Sequence, residues 1–175
     1  FPLVGLVIGF LLAAINYSLF YIETPLFLRV TLLLLAEIII TGGLMYDGFM
    51  DTADGVFSAR SRERMLEIMK DSHVGSNAVL AIIILLLLKI AAYLELSGET
   101  LTWVLLTMSV ATRTFMVVFI VNFPYARKEG IGHMFTKYAK PFYTYIAFAV
   151  CAGIIAACGL QYLAVAGICF TVTLI

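Results

Sequence analysis

Apolar residues run almost unbroken along this chain, at about 1–22, 26–45, 77–96, 101–122, 141–159 and 161–175, and polar residues collect in two connections, 46–76 and 123–140. Each longer run approaches the roughly 20 residues that an α-helix needs to cross a bilayer. The pattern therefore predicts an all-α fold: a polytopic membrane bundle of six transmembrane helices in a single domain spanning 1–175. Breakers and polar caps set the boundaries, with Pro25 before the second run, Gly75, Ser76 and Asn77 before the third, and Gly98, Pro141 and Gly159 at the later ones. The start, FPLVGLVIGF, has neither an initiator Met nor the basic flank of a signal peptide, and the end stops inside an apolar run, so both ends read as cut from a longer protein. Within the first connection, SARSRERMLEIMKDS has the periodicity of a short amphipathic surface helix, with Met65, Ile68, Met69 and Ser72 on one side.

Composition agrees with the pattern. Hydrophobic residues make up 63% of the chain and charged residues 13%, and the mean hydropathy is +1.06, values that place it among integral membrane proteins. Eleven basic residues balance eleven acidic ones, so global charge points to no nucleic-acid partner. Their placement is more informative. Arg60, Arg62, Arg64 and Lys70 lie in the first connection and Arg127, Lys128, Lys137 and Lys140 in the second, whereas the turns near 97–100 and 159–161 carry none. Lys and Arg accumulate in loops that stay in the cytoplasm. Both connections are thus expected to face the cytoplasm, with Arg29 alone opposing. Cys151, Cys158 and Cys169 lie in apolar runs without metal-site or disulfide spacing, and His73 and His133 sit in separate loops.

The chemistry begins with GGLMYDGFMDTADG, residues 42–55. Asp47, Asp51 and Asp54 are spaced i, i+4 and i+7, so on a helix they share one stripe. Like charges at those spacings repel, and a divalent cation with a preference for carboxylate oxygen, Mg²⁺ or Mn²⁺, would resolve the repulsion. A wetted segment at the membrane edge is the alternative reading. Gly48 and Gly55 leave backbone space beside that face for a phosphate or a neighbouring helix. Inside the apolar runs, Arg113 and Glu37 are expensive charges; an ion pair between them is one explanation and a functional role the other, whereas Lys89 can snorkel to the far interface. Arg60, Arg62, Arg64, Lys70, Arg127 and Lys128 are phosphate-binding candidates whose alternative role is attraction to lipid headgroups or anchoring on the cytoplasmic side.

These residues also carry a resemblance. GGLMYDGFMDTADG followed by RERMLEIMKDSHVG (62–75), together with FPLVGLVIG at the start and FPYARKEGIG at 123–132, resembles the cobalamin synthase family, the adenosylcobinamide-GDP ribazoletransferases. The resemblance implies an inner-membrane, Mg²⁺-requiring enzyme that joins adenosylcobinamide-GDP to alpha-ribazole or its phosphate with release of GMP. It implies Asp47, Asp51 and Asp54 as metal ligands and Lys70 and Asp71 as the catalytic pair, with Asp71 a further ligand or general base; of the cations in the chain, Arg113, Arg127, Arg60 and Arg62 are the candidates to meet the diphosphate of such a substrate. Membrane lipid is the implied surrounding, and homo-oligomerisation is left open. The chain departs from the family pattern at Met45, where a His is usual, at His73, where an Arg is usual, and in having no counterpart of the family's Gly-rich C-terminal loop.

Two rivals remain at this level. DTADGVFSAR approaches the first half of the CDP-alcohol phosphotransferase pattern, with its Ala-Arg displaced by one residue and the second half absent. A transporter would use Glu37, Lys89 and Arg113 as an ion path.

Overall fold

A computed structural model describes residues 1–96, 98–126 and 131–174, without the side chains of Ile131 and Leu174. These residues are all-helical, with nine helices among them: α1 (Pro2–Tyr21), α2 (Leu26–Thr41), α3 (Leu44–Phe57), α4 (Arg62–Ile68), α5 (Ser76–Leu94), α6 (Gly98–Asn122), α7 (Ile131–Tyr138), α8 (Phe142–Cys158) and α9 (Leu160–Leu174). All six expected apolar helices are present. Three of them, α1, α5 and α6, are long and apolar enough to cross a membrane, and the number rises to five if the bent pairs α2 with α3 and α7 with α8 each count as one span. The sixth, α9, is apolar but short.

The second apolar run does not continue straight to residue 45 as expected. It breaks at Gly42 and Gly43, whose φ values of 64° and 69° lie in the left-handed region that glycine enters without a Cβ penalty. The Gly43 amide bonds back to the Ile38 carbonyl at 2.9 Å, closing α2, and α3 leaves at 91°. The amphipathic helix predicted from residue 58 onward is also shorter than its periodicity suggests. Ser61 caps α4, accepting from the Arg64 amide, and the helix stops at Ile68.

The chain divides into two compact units, Phe1–Tyr17 with Gly98–Ile175, and Ser18–Ser97. In the first, α1 buries Pro2, Gly5, Gly9, Leu12 and Asn16, a spacing of alternately three and four residues that forms one seam. Two of its members are glycines, where α6 lies close against it. A Cβ on Gly5 would stand 2.4 Å from the Ser109 carbonyl oxygen, and one on Gly9 would stand 2.8 Å from the Leu106 Cα. At the end of the seam Asn16, 1% exposed, donates from Nδ2 to the Thr102 hydroxyl at 2.8 Å and the Gly98 carbonyl at 3.2 Å. Thr107, Ser109 and Thr114, all buried on α6, return their hydroxyl protons to carbonyls one turn back, the usual way to satisfy a hydroxyl without water. Val110, Ala111, Cys151 and Ile155 form the core between α6 and α8, and Phe170 of α9 packs on both Phe115 and Phe148 at 5.1 Å between ring centroids. The three cysteines are free thiols.

The second unit is assembled on α5. Its outward face carries Leu80, Ile84, Leu87 and Leu88, all exposed, as suits a surface solvated by lipid. Its inward face carries Ala78, Lys89 and Tyr93, so polarity runs opposite to that of a water-soluble helix.

Candidate functional site

The acidic stripe forms as the spacing requires. Asp47, Asp51 and Asp54 all lie on α3, within about 60° of one another around the helix axis. Asp47 is exposed, and Asp51 and Asp54 are half-buried. The structure gives Asp54 a task that the sequence did not suggest: its Oδ2 accepts from the Gly75 amide at 2.6 Å and its Oδ1 from the Ala78 amide at 2.8 Å. The carboxylate therefore caps the N-terminus of α5 from a different helix, where orphan amides and the helix dipole favour an anion. A side chain at Gly75 would push on this cap, since its Cβ would stand 2.6 Å from the Asp54 carboxylate.

Among the described residues no group of three His, Cys, Asp or Glu side chains converges closely enough to hold a metal ion. The donor chemistry of the α3 face, hard carboxylate oxygen, suits Mg²⁺. In this conformation, however, Asp54 points its oxygens at α5. A carboxylate has about four acceptor sites, so the two amide bonds leave acceptor capacity on Asp54.

Asp71 follows α4, at the end of a short turn in which the Lys70 and Asp71 amides bond back to Glu67. Its Oδ1 accepts from the His73 backbone amide at 3.1 Å and meets the His73 Nδ1 at 2.5 Å. His73 is thus no isolated loop histidine. The hydrogen bond to Asp71 raises its pKa above the ordinary 6.5, and the same bond lowers that of Asp71 below 3.8. Asp71 alone is therefore a weaker base than an ordinary aspartate, and the imidazole holds its proton to higher pH than a free histidine would. Arg60, Arg62 and Lys70 are exposed, while Arg64 pairs with Glu67 at 2.6 Å on the surface of α4. Gly48 has open space where a Cβ would be, whereas Gly55 is packed against Met69 and the Met65 carbonyl, so that the space is used by α4.

The pairing expected for Glu37 is overturned. Its carboxylate is engaged by Lys89 of α5, at 2.9 Å to Oε1 and 2.6 Å to Oε2. Lys89 therefore does not snorkel away; it also reaches the Tyr46 hydroxyl at 3.0 Å and lies 5.4 and 5.8 Å from the ring centroids of Tyr46 and Tyr93. Charge cost explains the arrangement, since two ions brought together in an apolar setting cost far less than either alone. The other exception to the basic-residue pattern, Arg29, is 6% exposed with its guanidinium 5.3 Å from the Phe20 ring centroid, a buried role that frees it from the orientation rule. Arg113 is half-buried on α6. Arg127 and Lys128 lie outside the described residues.

Sequence reasoning missed three features: the Glu37–Lys89–Tyr46 cluster, the Asp54 cap and an apolar cavity. The cavity, about 680 Å³, is lined by Phe1, Val117, Phe135, Tyr138, Tyr143 and neighbouring apolar side chains of the first unit. The G-x-x-x-G at Gly5 and Gly9 was a readable signal for close helix packing; nothing in the sequence pointed to the others, which depend on residues far apart in the chain.

Comparison with known proteins supplies the family. The family model described as cobalamin-5-phosphate synthase matches residues 1–175. Proteins named adenosylcobinamide-GDP ribazoletransferase are similar to this chain: that of Clostridium novyi is 41% identical over 152 residues, covering 85% of this chain and 60% of the relative. That of Desulfitobacterium hafniense is 41% identical over 143 residues, covering 80% and 56%, and that of Desulforamulus reducens is 40% identical over 174 residues, covering 99% and 70%. The chain spans about 60% of the length of the first of these relatives. No solved structure matches it. A match along all of its residues, at identities near 40% to several relatives, makes this chain a member of the cobalamin-5-phosphate synthase family.

Proposed function

We propose that the full-length protein transfers the phosphoryl-cobinamide group of adenosylcobinamide-GDP to alpha-ribazole or its 5′-phosphate, at the cytoplasmic face of the inner membrane. The observation that carries this reading is the family match over residues 1–175, supported by relatives named for ribazole transfer. A ribazole hydroxyl oxygen bonds to the phosphorus attached to cobinamide, the bond from that phosphorus to the GMP oxygen breaks, and GMP leaves. Such displacements depend mainly on positioning and charge stabilisation.

Mg²⁺, or Mn²⁺ in its place, is proposed to be held by Asp47, Asp51 and Asp54. When bound, the cation would supply positive charge to the diphosphate. Arg60, Arg62 and Lys70 are proposed to bind the anionic substrate, with Arg113 and Arg127 as further diphosphate contacts on chemical grounds. The hydroxyl proton is proposed to pass to the Asp71–His73 pair, in which Asp71 holds the imidazole in place through Nδ1.

GMP release by the full-length protein in liposomes, given both substrates and Mg²⁺, tests the reaction. Dependence on alpha-ribazole and on the cation is expected. A purified, membrane-inserted protein that releases no GMP under those conditions would sink the proposal.

A further inference from the structure

Helix α3 is gripped at both ends by the same partner. At its start, Tyr46 accepts at its hydroxyl oxygen from Lys89, which is itself fixed by two bonds to Glu37. Near its end, Asp54 takes the first amides of α5. Tyr46 and Asp54 are about 12 Å apart along α3, and Ala78 and Lys89 about 16 Å apart along α5 at 1.5 Å per residue. The first anchor of α3 meets the later anchor of α5, so the two helices run antiparallel. Two attachment points separated by two turns fix both the slide of α3 along α5 and its rotation about its own axis. Rotation is the coordinate that decides where the Asp47 and Asp51 side chains point.

The anchor at the Tyr46 end is well protected. The side chains of Lys89 and Glu37 are only 19% and 18% exposed, so water competes weakly for the pair, and the break at Gly42 and Gly43 ends the continuous helix between Glu37 and Tyr46, so that the cluster joins the two sides of the bend. Asp47 is the residue directly after Tyr46. We infer that the Glu37–Lys89–Tyr46 cluster is a positioning device that sets the rotation of α3 and thereby the aim of its carboxylate face. Its consequence for catalysis rests on the proposed transfer reaction.

The test uses the full-length protein in liposomes, with Cys151, Cys158 and Cys169 replaced and spin labels attached at Thr52→Cys and Leu87→Cys. Tyr46→Phe removes one hydroxyl and leaves the ion pair, and the double change Glu37→Gln with Lys89→Met removes both charges together, so no lone ion is left in the membrane. Both variants are expected to broaden the distance distribution between the labels, the double more than the single. Exchanging the pair, Glu37→Lys with Lys89→Glu, is expected to narrow it again. In an active protein kcat for GMP release should fall about tenfold or more in the double variant with KM for adenosylcobinamide-GDP within about twofold, since small misplacements of reacting groups act on rate. An unchanged distance distribution in the double variant overturns the inference, as does an unchanged kcat in a protein that turns over. If the parent protein releases no GMP, the proposed reaction fails while the distances still decide whether the Glu37–Lys89–Tyr46 cluster positions α3.

Discussion

Asp54 shows how one side chain can hold a fold while sitting in a motif that reads as chemistry. Both of its oxygens serve α5, so Asp54→Ala should cost about 0.5–2 kcal/mol as a lost cap, measured by thermal unfolding in detergent. Asp54→Asn keeps one acceptor and should unfold closer to the parent, yet lose GMP release if the residue is also a ligand; equal stability loss in the two variants would refute the cap. The Asp71–His73 contact makes a separate prediction. Because Asp71 raises the pKa of His73, the stabilising effect of protonated His73 is complete below its ordinary 6.5 and fades as pH rises through the raised value. The depressed Asp71 contributes in the opposite sense, fully above 3.8 and progressively less as pH falls below it. Asp71→Asn should return the His73 midpoint towards 6.5 in an NMR titration, and an unmoved midpoint would show that the bond is absent in solution.

At the scale of whole elements, the close approach of α1 and α6 depends on residues that have almost no side chain. Gly5→Ala places a methyl group against the Ser109 backbone, where nothing can rotate away, so overpacking of about 1–3 kcal/mol is expected. The check is a lowered unfolding midpoint in detergent, with Gly153→Ala, which meets open space, as the tolerated comparison. Equal midpoints would mean that the two helices do not pack as described. Hydrophobic periodicity could not have found this seam, because lipid and protein interior are similarly apolar and α1 is oily on every side. The break at Gly42 and Gly43 was hidden for the same reason: the apolar run continues through Leu44 and Met45 while the backbone turns away. Small residues, rather than large apolar ones, were the legible sign of inward faces.

For the molecule as a whole, charge distribution makes the prediction. Lys and Arg in the α3–α4 segment and in 136–140 should place both on the cytoplasmic side. Single cysteines at Arg62 and at Lys137, in a background with the native cysteines replaced, should react with an impermeant maleimide only when the cytoplasmic face is open to it. Labelling of either from the outer face would reverse the orientation. Acidic and basic residues are equal in number, so this orientation comes from where the charges lie and not from their sum.

The sequence by itself determined the class of the molecule, the positions of its apolar helices, the acidic stripe and the family, because each is written locally, in run length, helical spacing and contiguous motif. Tertiary structure alone decided how those pieces are used. It bent the second run, paired Glu37 with Lys89 across 52 residues and lent Asp54 to an amide 24 residues away. The last two share a physical reason. In an apolar setting the partner of a charge or an orphan amide is chosen by proximity in space, and a one-dimensional pattern of hydropathy contains no term for it.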